Sequence, residues 1–92
     1  MTTNNRQSLS NTTPLRLTPN GIHSSLDFTI QNSNDAGYIY IGGSDALSSS
    51  NYGFRILPNH SISFELPSSD PIYALASTSD MYVSTIYTSL EF

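Results

Sequence analysis

Apolar and polar residues alternate along most of this chain after residue 22. Polar residues separate Leu26, Phe28 and Ile30, and the same alternation recurs in residues 61–66. Successive side chains of a β-strand point to opposite faces, so a period of two predicts strands with one buried face. No segment of useful length shows the 3.6-residue period of an amphipathic helix.

Turn residues such as Asn20-Gly21, Gly42-Gly43 and Pro58-Asn59 divide the pattern into short segments. The segment at residues 38–41 is apolar on both faces, which predicts a central strand. One helical turn near residues 45–50 is compatible with the composition. The predicted fold class is all-β, a small antiparallel β-sandwich or barrel of jelly-roll or immunoglobulin-like size. Its strands are predicted at residues 22–32, 38–41, 54–57, 61–66, 72–76 and 81–90.

Residues 1–20 have a different composition from the rest of the chain. After Met1, their sizeable apolar residues are Leu9, Leu15 and Leu17, and two prolines flank the last two of these. Such a polar, proline-containing terminus suits a disordered tail or an extended arm held by a neighbouring chain. We expect an extended polar N-terminal arm over residues 1–20 and a β-sandwich domain over residues 21–92.

Size and composition indicate a domain that needs support from other chains. Ser, Thr and Asn make up 34 of the 92 residues, charged residues only 11%, and there is no Cys. Folded domains shorter than about 70–80 residues usually need disulfides, a metal or oligomerisation. Because disulfides are excluded here and few charges protect the sheet edges, we expect those edges to be covered by other subunits.

Several classes of function lack their usual residues. The net charge is −4, Lys is absent and the three Arg are scattered, so there is no footprint for nucleic acid. No apolar run approaches the ~20 residues of a membrane span. His23 and His60, even with Asp45 or Asp70, do not show metal-site spacing, and no nucleophile-elbow pattern occurs. We expect no enzyme activity, metal, cofactor or small-molecule substrate.

The six Tyr are the most suggestive side chains for recognition. Tyr38 and Tyr40 are predicted to share one face, whereas Tyr82 and Tyr87 are predicted on opposite faces of the last strand. Tyrosines at such positions pack in the core or on a sheet face, contact another subunit, or stack on sugars. All three interpretations are open from the residues alone.

The order of motifs after residue 37 resembles small β-sandwich virion proteins of tailed bacteriophages. The motifs are YIYIGGSD at residues 38–45, YGF at 52–54, ILPNHSISF at 56–64 and IYALAS at 72–77. The proteins in question are head decoration (cement) proteins or small domains on head or tail fibres. Asn59 stands where that family often has Gly, a mild departure because Asn also tolerates the turn.

This resemblance implies a structural virion protein that binds across major capsid protein subunits and stabilises the head. It further implies a homotrimer that lies on the capsid surface after synthesis in the host cytoplasm. The expected partners are the major capsid protein and other copies of this chain. We expect contacts from the loop of residues 44–52, the sheet edges and the C-terminus, and also from the arm, which lies outside the resemblance. The candidate partner-binding residues are Arg6, Leu9, Leu15, Arg16, Leu17, Asp45, Tyr52 and Phe92.

Two other functions fit the same residues. The first alternative is a receptor- or glycan-binding domain of a head fibre, tail fibre or tail tip, for which the tyrosines would form an exposed cluster. The second is a host-directed or regulatory phage protein, which would exist as a free monomer.

Overall fold

Eight β-strands make up the regular secondary structure of residues 2–18, 25–66 and 71–90, the parts of the chain that this computed structural model describes. The all-β prediction is confirmed. Residues 45–50 form non-helical turns closed by a β-bridge between Ser48 and Asn51, instead of a helical turn. The strands are β1 (Thr2–Leu9), β2 (Leu15–Arg16), β3 (Ser25–Gln31), β4 (Ile39–Gly42), β5 (Phe54–Ile56), β6 (Ser61–Leu66), β7 (Tyr73–Ala76) and β8 (Met81–Leu90).

The strands form two four-stranded antiparallel sheets. Sheet A has the order β1-β8-β3-β6, and sheet B has the order β2-β7-β4-β5. Strand β1 pairs with β8, β2 with β7, β3 with β6 and β4 with β5. This is the pairing of one long hairpin with its tip between β4 and β5. The hairpin is then rolled so that β8 also meets β3 and β7 also meets β4. A hairpin rolled in this way into two sheets is a jelly roll, in agreement with the predicted small β-sandwich.

The chain passes from one sheet to the other at corners with special backbone conformations. Gly37, Asn59 and Asp80 have φ angles of 89°, 62° and 61°. Glycine, asparagine and aspartate are the residues that adopt positive φ most readily. At Gly37 a Cβ atom would also lie 2.8 Å from the Met81 sulfur. The corner between β3 and β4 therefore requires glycine for two independent reasons.

The core lies between the two sheets and follows the alternation of the sequence. Phe28 and Ile30 of β3 are buried while Asp27 is exposed. Strand β4 is central in sheet B, as predicted, and Ile39 and Ile41 face the core. The buried core residues are Leu9, Leu17, Phe28, Ile30, Ile39, Ile41, Ile56, Leu66, Ala74, Ala76, Met81 and Val83.

The N-terminal segment supplies one edge strand to each sheet. Thr2–Leu9 pairs with β8 over eight residue pairs, and Leu15–Arg16 pairs with β7. The segment is extended, as expected, but its partner is its own chain, whereas the sequence interpretation placed it on a neighbour. An edge strand is held largely by backbone hydrogen bonds and keeps one face in solvent, so it needs few apolar residues. This explains why the polar composition of residues 1–20 resembled that of an arm.

Candidate interaction surfaces

The loop between β4 and β5, residues 43–53, folds back on the outer face of sheet B. Leu47 is buried outside the core cluster, and a Cβ atom at Gly42 would lie 2.9 Å from its Cδ1. The ring centroid of Tyr52 lies 4.7 Å from that of Tyr40. Leu75, which pairs with Tyr40 across strands, is also buried there. This half of the outer face is therefore covered by the chain itself.

Beside this loop, edge strand β5 and its surroundings expose large apolar side chains around one arginine. Tyr38, Phe54 and Leu57 are 37%, 46% and 41% exposed. The Arg55 guanidinium carbon lies 4.6 Å from the centre of the Tyr38 ring. We call Tyr38, Phe54, Arg55 and Leu57 the Arg55 surface. Aromatic residues and arginine are enriched at the centres of protein interfaces, and Tyr and Arg are frequent binding hot spots.

A hollow of about 230 Å³ lies within the Arg55 surface. Phe54, Arg55 and Leu57 line it together with Ile56, His60 and Ser61. These residues belong to β5 at the edge of sheet B and to the beginning of β6 at the edge of sheet A. The hollow therefore lies on the side of the sandwich where β5 and β6 are the edge strands.

The outer face of sheet A is polar and carries two neighbouring carboxylates. Asp27 of β3 is directly opposite Glu65 of β6, and both side chains are exposed. The hydroxyls of Thr29 and Ser63 share a hydrogen bond of 2.8 Å next to them. These four residues and Phe28 line a hollow of about 380 Å³, which we call the acidic hollow. Like charges directly opposite each other on neighbouring strands are destabilising when no cation compensates them.

A second arginine–tyrosine pair lies at the opposite edge of sheet A. The Arg6 guanidinium carbon of β1 lies 5.0 Å from the centre of the Tyr82 ring. Tyr82 and Ile86 of β8 are 44% and 46% exposed on this outer face. As predicted, Tyr82 and Tyr87 lie on opposite faces of β8, since the Tyr87 ring stacks on that of buried Phe28 at 5.4 Å.

Polar side chains at the corners are used within the fold. The Asn32 side chain is fully buried, and its amide donates to the carbonyls of Gly37 and Ile56 at 3.1 and 3.0 Å. Its oxygen accepts from the Asn34 backbone and side-chain nitrogens. The Asn34 side chain in turn bonds both backbone groups of Tyr82. Because these groups are satisfied inside the chain, they serve the fold and not a ligand.

The candidate residues of the N-terminal segment fall into two groups. Leu9 and Leu17 are buried in the core of their own chain, and Leu15 packs against that core. This differs from the expectation that they reach out to a partner, because β1 and β2 turn their apolar side chains inward. Arg6 is exposed beside Tyr82, while the Arg16 side chain donates to the Thr18 carbonyl.

The remaining candidates lie on other parts of the chain than β1 and β2. Asp45 and Tyr52 are exposed in the loop that covers sheet B, on the β4–β5 part of the molecule. Phe92 lies outside the described residues. The structure thus separates the candidates into β1–β2 and the loop. Their role in partner binding stays a prediction.

The sequence interpretation missed the Arg55 surface. In the sequence Arg55 is one of three scattered cations, and its contact with Tyr38, the residue before strand β4, is visible only in the fold. One signal was present, since Ile56 and Leu57 are consecutive apolar residues and a strand cannot turn both to the core. Ile56 is buried and Leu57 is 41% exposed. That break in the alternation pointed to an apolar surface at this position.

Two further results concern sites of other kinds. Among residues 2–18, 25–66 and 71–90, no group of three or more His, Cys, Asp and Glu side chains could hold a metal ion. His23 and Asp70 lie outside the described residues. Within the same ranges, no helix has the length and apolar character needed to cross a membrane.

Comparison of the chain with protein-family models, with curated proteins and with solved structures found no match.

Proposed function

We propose that the protein is a non-enzymatic structural component of a virion, a decoration protein that binds across neighbouring capsid subunits of a tailed-bacteriophage head. The observation that carries this proposal is the Arg55 surface. It places Tyr38, Phe54 and Leu57, each more than a third exposed, around a stacked arginine. An apolar cluster of this kind on a small protein marks a site of protein–protein contact.

The rest of the surface supports a role in assembly. Only 11% of the residues are charged, and Ser, Thr and Asn supply many of the polar groups. Such a surface makes hydrogen bonds without strong charge repulsion between copies packed close together. The two sheets also end in short edge strands, β5 and β6, to which another chain can add by backbone pairing.

The jelly roll is compatible with this function without proving it. Jelly rolls build viral capsid proteins and also lectins and cupins, so the fold alone is an argument by analogy. The resemblance of residues 38–77 to virion β-sandwich proteins favours the capsid among these. Each stable contact of standard size buries about 1,600 Å². Many such contacts on a closed shell together resist the pressure of packaged DNA.

Reconstitution on virions of the phage that encodes the chain tests this proposal. Particles lacking the chain would receive purified wild-type protein, and bound copies would be counted by cryo-electron microscopy. We expect binding at a fixed number of equivalent sites and a higher temperature of DNA release, read with a DNA-binding dye. The Arg55→Glu variant should bind less. A chain that neither is found in wild-type virions nor binds the depleted particles would contradict the proposal.

One observation favours a second candidate, a glycan-binding domain. Tyr52 is 40% exposed next to a hollow of about 140 Å³, which Ser44 and Asn51 also line. An exposed aromatic ring with nearby hydroxyl and amide groups is suited to stacking on a sugar and bonding its hydroxyls. A glycan array with wild-type protein and Tyr52→Ala tests this candidate. Binding that is lost in the variant would support it, and no binding by the wild type would reject it.

A further inference from the structure

We propose that a second copy of this chain binds head to tail, with the Arg55 surface of one copy in the acidic hollow of the next. This inference rests on the proposed function, because it identifies the contact through which the shell protein forms its own oligomer. The evidence consists of an exposed cation with available donors and an uncompensated carboxylate pair that lines a hollow.

The donor side is the arginine on β5. Its guanidinium stacks on Tyr38, and within the described residues it makes no hydrogen bond or ion pair. The guanidinium carries five N–H donors, and contact with an aromatic ring does not provide them with a hydrogen-bond acceptor. The stacked arginine loses less side-chain freedom on binding than a mobile one. Phe54 and Leu57 provide apolar area next to it.

The acceptor side is the pair Asp27 and Glu65. Their carboxylates face solvent on adjacent strands, and no cation of the described ranges pairs with either. A carboxylate accepts two parallel N–H bonds from one guanidinium, which makes arginine the best-suited cationic side chain for such a site. The hollow of about 380 Å³ beside them is large enough for an arginine side chain. The hydroxyls of Thr29 and Ser63 supply further acceptors.

Charge complementarity favours a second copy over an unrelated partner. The chain has seven acidic residues and only three Arg, so few cations are available to compensate its own carboxylates. Of the two arginines stacked on a tyrosine, Arg55 has the larger exposed apolar surroundings, formed by Tyr38, Phe54 and Leu57. Arg55 lies on the outer face of sheet B, and the acidic hollow lies on the outer face of sheet A. Because these faces point away from each other, the contact is heterologous and forms a ring if the rotation closes. A ring of three copies would agree with the predicted homotrimer.

Charge reversal on the full-length chain, followed by sedimentation velocity across a concentration series, tests the inference. We expect wild type to associate, and Arg55→Glu and Glu65→Arg each to weaken association by at least about 30-fold, as expected for the loss of a buried interfacial ion pair. Mixing the two variants should restore association, because one contact between unlike copies regains opposite charges. Circular dichroism would confirm that both variants keep the β-fold.

A matched control makes the result specific. Asp35→Arg reverses an exposed acidic residue of a turn that belongs to neither surface of the proposed contact. This variant should associate like wild type. A wild-type chain that is monomeric at all concentrations, or association unchanged in Arg55→Glu, would overturn the inference.

The two proposals fail in different experiments. If the chain decorates particles but is monomeric and insensitive to both reversals in solution, the head-to-tail contact is wrong and the shell function stands. If the chain associates through Arg55 and Glu65 but never binds a particle, the contact stands and the decoration function is wrong.

Discussion

The corner at Asn32 and the Arg55 surface show two opposite uses of polar groups in one small protein. At the corner, a fully buried amide makes all the hydrogen bonds that it can make, within its own chain. On the surface, Arg55 is stacked on Tyr38, and its N–H groups have no partner among the described residues. Groups that are satisfied internally define the fold, and groups that are positioned but unpaired are available to another molecule.

This difference separates two kinds of variant. Changes at the corner should reduce the free energy of unfolding and affect binding only through loss of folded protein. Changes on the Arg55 surface should reduce binding and leave the free energy of unfolding nearly unchanged. The predictions below test this separation, in order of decreasing effect on stability.

The largest effect is expected for Asn32→Ala. It removes both donors and leaves the carbonyls of Gly37 and Ile56 without these partners in a buried corner. Each unsatisfied buried group costs roughly 1–3 kcal/mol, so we expect a loss of about 2–4 kcal/mol. Urea denaturation followed by circular dichroism measures it. Asn51→Ala, at an exposed site, is the control and should change stability by less than about 0.5 kcal/mol. Equal losses in both variants would contradict the role of the corner.

A smaller loss in the free energy of unfolding is expected for Gly37→Ala. The substitution places a Cβ 2.8 Å from the Met81 sulfur at a φ of 89°. Non-glycine residues held in such a conformation cost on the order of 1–3 kcal/mol. Thermal unfolding would show the loss. Gly43→Ala is the matched control, because nothing lies within 4 Å of its Cβ position and its φ is not positive. A variant at position 37 as stable as this control would show that the corner tolerates a side chain.

A loss of only about 0.5–1 kcal/mol is expected for Arg55→Ala, the usual worth of an exposed cation–π contact. The effect on association should be much larger, since the variant removes the donor of the head-to-tail contact. Comparing urea denaturation with sedimentation velocity on the same preparation separates the two effects. If association falls only in proportion to the unfolded fraction, Arg55 has no role in binding.

Arg6→Ala is expected to have the smallest effect on the free energy of unfolding and self-association taken together. It removes a cation–π contact at 5.0 Å on an exposed edge strand, worth about 0.5–1 kcal/mol or less. Self-association should be unchanged, because this arginine lies on β1 and not beside β5. If sedimentation velocity showed that Arg6→Ala and Arg55→Ala weaken self-association equally, both arginines would contribute only through general charge.

The sequence predicted the strands whose apolar alternation is strong. Residues 61–66 and the buried positions Phe28 and Ile30 follow directly from the period of two, and the turn at Asn59 follows from its neighbouring proline. Strands β1 and β2 escaped prediction because edge strands need few apolar residues and are stabilised by backbone pairing. Polar composition therefore does not distinguish an edge strand from a free arm.

The candidate site was harder to predict than the fold because its contacts are nonlocal. Tyr38 and Arg55 meet only after β4 and β5 pair, and Asp27 and Glu65 become neighbours only through the β3–β6 register. The burial of Leu47 likewise depends on a loop folding back on Gly42. Composition and periodicity describe local conformation, and they contain no direct information on these pairings.

Hydrogen–deuterium exchange of the chain, alone and bound to particles, tests the central claim most directly. The claim is that the Arg55 surface acts by contacting other protein chains. We predict slower exchange of the amides in residues 54–57 on the particle than in the free chain at a concentration where it is monomeric, with the corner at residues 32–37 unchanged. Equal exchange at residues 54–57 in both states, with the chain demonstrably bound, would contradict the claim.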